Sequence, residues 1–154
     1  MKLLTIFLVL VLSGCATGYQ EAGFGGGFED TQLSPTVFQV SVAGNRYTSA
    51  TRTNDLALLR AAVLTIKNGF TNFYITSNNQ GSNTSYAAML SNTFTTATAY
   101  GGTANAFSTQ SGGGLMAIRN PTSSLTIKLT NNQDENAFNA AFVKKSIMDK
   151  YGFE

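Results

Sequence analysis

The sequence predicts a small single domain of the α+β class. One sheet of three to five strands carries a β–α–β unit, and a C-terminal helix packs on one face. Three observations carry this. Residues 36–43 (TVFQVSVA) and 125–129 (LTIKL) alternate apolar and polar side chains with the period of two of a half-buried strand. Between them, Leu56, Leu59, Val63 and Ile66 recur three to four apart, the stripe of a helix lying on a core. Phe138, Ala141, Phe142 and Met148 form a second such stripe near the end of the chain.

In the first strand Phe38, Val40 and Val42 face one way, with Val37, Gln39, Ser41 and Ala43 opposite. Gly44-Asn45 then signals a turn. The helix over about 51–68 takes Thr53 as its expected N-cap. Asp55 suits the positive end of the dipole and Lys67 the negative end, with Gly69 just past the C-terminus. Residues 70–76 (FTNFYIT) return to strand character and complete the β–α–β unit. Residues 77–112 are weakly patterned and nearly free of charge. They read as a loop-rich insertion, either disordered or ordered by a partner, although YAAML and NTFTTATAY allow short strands. Residues 115–119 (LMAIR) read as a strand punctuated by Pro121, followed by the strand at 125–129. Asp134 is the expected N-cap of a last helix over about 135–151, with Lys144, Lys145 and Lys150 in its C-terminal half and Gly152 beyond it.

The N-terminus carries the sharpest signal. Lys2 is followed by a ten-residue run, Leu3 to Leu12, that is apolar apart from Thr5. That suits a signal-peptide core and is too short for a transmembrane helix, which needs about 20. Leu12-Ser13-Gly14-Cys15 then reads as a lipobox, in which small residues admit the peptidase and the Cys15 thiolate takes the diacylglyceryl group. The expected organisation is a lipoprotein signal peptide at 1–14, a lipidated Cys15 with a flexible Gly-rich tether through 35, and an α+β periplasmic domain at 36–154. Ala16 after the cysteine, rather than Asp, points to the outer membrane, with the domain facing the periplasm. Cys15 is the sole cysteine, so the fold must hold without an internal disulfide.

Composition narrows the chemistry. Lys plus Arg number 10 including Lys2, against 8 Asp plus Glu, so the chain lacks the basic excess of a nucleic-acid binder. With no histidine, the commonest general base and transition-metal ligand are missing, as is any Ser-His-Asp triad. The glycine runs at 25–27 and 112–114 are not followed by Lys-Ser/Thr, no serine lies in Gly-x-Ser-x-Gly, and the acidic residues do not alternate as a calcium loop requires. No enzymatic activity, metal or cofactor is expected. Arg46, Arg52 and Arg60 gather around the strand-to-helix passage. They read either as an internal clamp needing carboxylate or carbonyl partners, which is favoured, or as a partner site. Without tryptophan, aromatic ligand contacts would fall to Tyr74, Tyr86, Phe94 and Tyr100.

Residues 26–33 (GGFEDTQL), 38–49 (FQVSVAGNRYTS), 58–65 (LLRAAVLT), 68–70 (NGF) and 125–129 (LTIKL), together with the lipobox, resemble a family of small proteobacterial lipoproteins of unknown function. Val63 and Arg46 stand where that family has Glu and Gly. The resemblance implies the lipoprotein class and no activity. The expected role is a structural or interaction component of a cell-envelope assembly such as a secretion machine, with membrane contact through Cys15 and envelope proteins as partners. The alternative is a periplasmic binding module for a small or glycan ligand.

Overall fold

A computed structural model describes residues 16–100 and 103–153. The elements are β1 (Gly27–Ser34), β2 (Val37–Ala43), α1 (Ala50–Lys67), β3 (Asn72–Tyr100), β4 (Thr103–Thr130), β5 (Phe138–Asn139) and α2 (Ala140–Tyr151). The class is α+β. The five strands form one antiparallel sheet in the order β1-β2-β4-β3-β5. β2 and β3 both run antiparallel to β4, which lies between them, so the β2–α1–β3 unit crosses over one strand. The described residues up to Asn83 and from Arg119 onward make one compact unit, and Thr84–Ile118 make a second.

In the first unit the alternation of β2 decides which face is covered. Phe38, Val40 and Val42 are buried beside Leu125, Ile127 and Leu129 of β4 and Phe73 of β3. The opposite face is polar, with Ser41 and Ser124 paired across the ladder at 3.3 Å between their hydroxyls. Leu56, Ala57, Ala61, Ala62 and Leu64 of α1 pack on the apolar side. Three alanines among these let the helix axis come close to its neighbours.

Several boundaries differ from the sequence expectation. Ser49, not Thr53, caps α1, its hydroxyl accepting from the Arg52 N–H at 3.1 Å. Thr53 is buried one turn on and donates to the Ser49 carbonyl. Ile66 is exposed, since the last turn of α1 presents Leu64 and Thr65 to the core instead. The last helix begins at Ala140, capped by Asn139. Asp134 instead closes a local turn by accepting from the Asn136 N–H. A different face is covered from the one expected: Ala140 and Ile147 are buried, whereas Phe138, Ala141 and Phe142 are exposed.

The expected tether through residue 35 is also corrected. Residues 27–34 form β1, paired along β2 from Gly27↔Ala43 to Ser34↔Val37 with a bulge at Leu33. Glycine-rich composition here serves geometry. Gly26 has φ +89°, and a Cβ on it would sit 2.4 Å from the Ala43 carbonyl oxygen. The described residues of 77–112 lie in β3 and β4 rather than in loops.

Candidate functional site

Two places draw together the residues that the sequence singles out. The first is the face of α1 that carries Arg52 and Arg60. Arg60 sits mid-helix, and its partly buried guanidinium donates from Nε to Asp30 Oδ1 at 2.7 Å and from Nη1 to the Tyr19 hydroxyl at 3.5 Å. It also lies 4.2 Å above the Phe28 ring. Burial would lower the Arg60 pKa, but the bonds to Asp30 and Tyr19 outweigh it, and the value is raised. Two turns earlier, Arg52 Nε donates to the Thr17 carbonyl at 3.0 Å, and its guanidinium covers the Tyr151 and Phe153 rings at 4.6 and 5.6 Å. Both side chains therefore fasten chain ends to α1. They do the work of a clamp.

The fastened N-terminal segment is itself tied in. Thr17 is buried. Its N–H donates to Thr48 Oγ1 at 2.9 Å, and its hydroxyl donates to the Gly25 carbonyl at 2.9 Å. That hydroxyl also accepts from the Asn45 N–H at 3.0 Å and from Thr48 Oγ1 at 2.9 Å. Tyr19 packs on Phe28, with ring centroids 4.8 Å apart. Arg46 stays outside this cluster: it is exposed and lies over the neighbouring Tyr47 ring at 4.6 Å.

A cleft of about 520 Å³ opens beside the clamp, lined by Glu21, Ala22, Phe28, Glu29, Asp30 and Arg60. Its one cation already holds Asp30. Among the described residues, no group of three or more His, Cys, Asp or Glu side chains could hold a metal ion. A second carboxylate, Asp55 on α1, accepts from Lys150 Nζ at 2.6 Å and the Tyr151 hydroxyl at 2.7 Å, joining the two helices. Burial and the bond to Asp55 raise the Tyr151 pKa, and the bond to Asp55 raises that of Lys150.

The second place is the unit Thr84–Ile118, where β3 and β4 pair with each other. Thr95 Oγ1 and Ser108 Oγ meet at 3.0 Å across the pair. Tyr86, Leu90 and Phe94 recur every fourth position and so share one strand face, and all three are exposed. Met89, Leu115 and Met116 are exposed as well. No charged residue occurs between Lys67 and Arg119.

The four aromatics proposed as ligand contacts do not form one set. The Tyr74 hydroxyl is committed to Asp134, a bond that raises its pKa. Tyr86 and Phe94 stand eight residues apart on β3, about 26 Å at the usual strand rise, too far to grip one sugar ring. The Tyr100 side chain lies outside the described residues, as does Cys15. Thr17 and Asp30, which complete the clamp with Tyr19, were not singled out from the sequence, whereas Tyr19 was marked as an aromatic that could dock on the domain or on a partner. Asp30 carried a usable signal, standing two residues after Phe28 and thus on the same face of a strand, whereas nothing marked Thr17. Among the described residues no helix is long and apolar enough to cross a membrane. Comparison with protein-family models, with curated proteins and with solved structures returns no match.

Proposed function

We propose that this chain is a lipid-anchored protein of the bacterial outer membrane, without enzymatic activity, that acts as an interaction component of a cell-envelope assembly such as a secretion machine. The anchor is Cys15, read from the lipobox. The observation that carries the interaction role is the charge-free two-stranded ribbon at Thr84–Ile118, with Tyr86, Leu90 and Phe94 exposed along one face. Proteins ordinarily blunt exposed strand edges with lysine, proline or a covering element, because bare backbone groups recruit further strands. Here no third strand covers residues 84–118 among the described residues, and no charge guards them. An apolar face of this kind suits burial against a protein partner, with β-strand addition or side-chain packing supplying the contact.

The test is an affinity pull-down of the full-length protein from gently solubilised membranes, read by mass spectrometry, with Cys15→Ser and Leu90→Lys/Phe94→Lys variants alongside. A defined set of envelope proteins that disappears in both variants is the expected result. An unchanged set in the charged variant removes the ribbon as the recruiting surface. A wild-type protein that comes out alone overturns the assembly role in favour of a small-ligand module. The place to look would then be the groove of about 450 Å³ lined by Leu58, Phe142, Val143 and Ile147.

A further inference from the structure

We infer that the two turns flanking Thr17 form a surface that rests on phospholipid headgroups, with Phe24, Arg46 and Tyr47 as its contacts; this rests on the lipid-anchored reading of Cys15. Thr17 is 2% exposed and is held by four hydrogen bonds to Gly25, Asn45 and Thr48, so it is part of the folded body. Cys15 precedes it by two residues. Two residues of fully extended chain span at most about 7 Å. A diacylglyceryl group on Cys15 begins where the acyl chains leave the headgroups. The headgroup layer is itself roughly 5–8 Å deep on each side of the hydrocarbon. The lipid therefore leaves no slack: whatever surrounds Thr17 lies at the headgroups.

What surrounds Thr17 has the composition such a place calls for. The Gly25 carbonyl that accepts from Thr17 belongs to a tight turn closed by reciprocal Gly23 and Gly26 backbone bonds. Phe24 sits at the tip of that turn, fully exposed, and contributes nothing to the core. The other turn is built on Asn45, whose side-chain oxygen accepts from the Tyr47 N–H and from Thr48 Oγ1. The same Asn45 reaches across to the Gly25 carbonyl through its Nδ2 at 3.4 Å, joining the two turns. Tyr47 is 57% exposed, with the Arg46 guanidinium stacked over its ring. Aromatic rings sit well at the membrane–water boundary, where one edge is apolar and the other wet, and an arginine beside them meets lipid phosphate. In water the Phe24 and Tyr47 rings stay largely uncovered, whereas a headgroup layer would cover both. The occupant is accordingly a bilayer with anionic headgroups.

The absence of tryptophan from the chain makes the test clean. F24W, Y47W and F142W variants of the full-length lipoprotein are reconstituted in phosphatidylethanolamine–phosphatidylglycerol vesicles, with and without lipids brominated near the headgroup end of the acyl chains. Acylation of Cys15 is measured by mass on the same samples. Phe142 is the reference because it is exposed at the far end of α2 from the Arg52–Tyr151 contact. The expected result is a blue-shifted emission for F24W and Y47W, with quenching by brominated lipid several-fold stronger than for F142W. Acylated protein in which all three behave alike overturns the surface and leaves the anchor standing. Protein that carries no acyl mass overturns both. Two independent reporters guard against one substitution disturbing its turn.

Discussion

Thr17→Val is nearly isosteric and removes one oxygen, so its effect isolates the bonds that tie the N-terminal segment into the fold. Three bonds end on that hydroxyl: one donated to the Gly25 carbonyl and two accepted, from the Asn45 N–H and from Thr48 Oγ1. They are not equally hard to lose. The single Thr48 hydroxyl proton is already shared between Thr17 Oγ1 and Asn45 Oδ1, each at 2.9 Å, and can settle on the latter, while the Gly25 carbonyl keeps the Asn45 Nδ2 contact. A hydrogen bond lost inside a fold costs about 0.5–1.5 kcal/mol net, and two of the three groups can re-partner, so a loss of about 1.5 kcal/mol is expected. Urea unfolding followed by circular dichroism reads it as a lower midpoint at unchanged slope. Thr17→Ser, which keeps the oxygen, should stay within about 1 kcal/mol of the parent. A Val variant within about 0.5 kcal/mol of the parent would refute the view that residues 16–28 belong to the folded body, and with it the placing of Phe24, Arg46 and Tyr47 at the headgroups.

Three further outcomes are expected. A double-mutant cycle on Asp30→Ala and Arg60→Ala should return a coupling of about 1–2 kcal/mol, between the values for exposed and fully buried ion pairs, because both side chains are only partly covered. Gly26→Ala should cost at least about 3 kcal/mol, since the strain of φ +89° adds to a Cβ 2.4 Å from a backbone oxygen. Gly69→Ala, with φ +80° and open space around it, should cost only about 1 kcal/mol; equal losses in thermal unfolding would show that the close approach is not felt. Stability should also fall at alkaline pH. Tyr151 and Lys150 have raised pKa values in the fold, so their contribution is complete below the unfolded values of about 10 and is lost as pH climbs through the folded ones. Asp55→Asn should flatten that limb, and an unchanged limb would mean that Asp55 is not the cause.

How far the sequence could be read followed from which surfaces are buried. β2 and the 125–129 portion of β4 were legible because one face of each meets a core and the other meets water, which writes an alternation into the residues. α1 was legible for the same reason, to within a residue or two at its ends. The ribbon was not: most of its described side chains are exposed, so no core face writes a period of two into residues 84–118. β1 was lost to its glycines, which signal a tether yet are demanded at 26 and 27 by backbone approaches of 2.4 Å. Of the clamp, the arginines were legible as costly charges near apolar helix residues. Their partners were not, since Thr17 and Asp30 are ordinary residues until the chain brings them to α1.

The insertion of β4 between β2 and β3 has a consequence for how the chain reaches its native state. Gln39 meets Ser124, and Val40 pairs with Leu125, 85 residues further along the chain, so the central ladder waits until nearly all of the polypeptide is available. The β1–β2 hairpin and α1 rest on local contacts and are free to form first, while closure of the sheet sets the pace. Yet the entropy of that closure depends only on the logarithm of the intervening length. Replacing Thr84–Ile118 by a short turn would cut the separation to about 50 residues and change the closure term by only about 0.5 kcal/mol. The length of the ribbon is therefore almost invisible to the stability of the body that carries it, and can drift in evolution to whatever reach its surroundings demand.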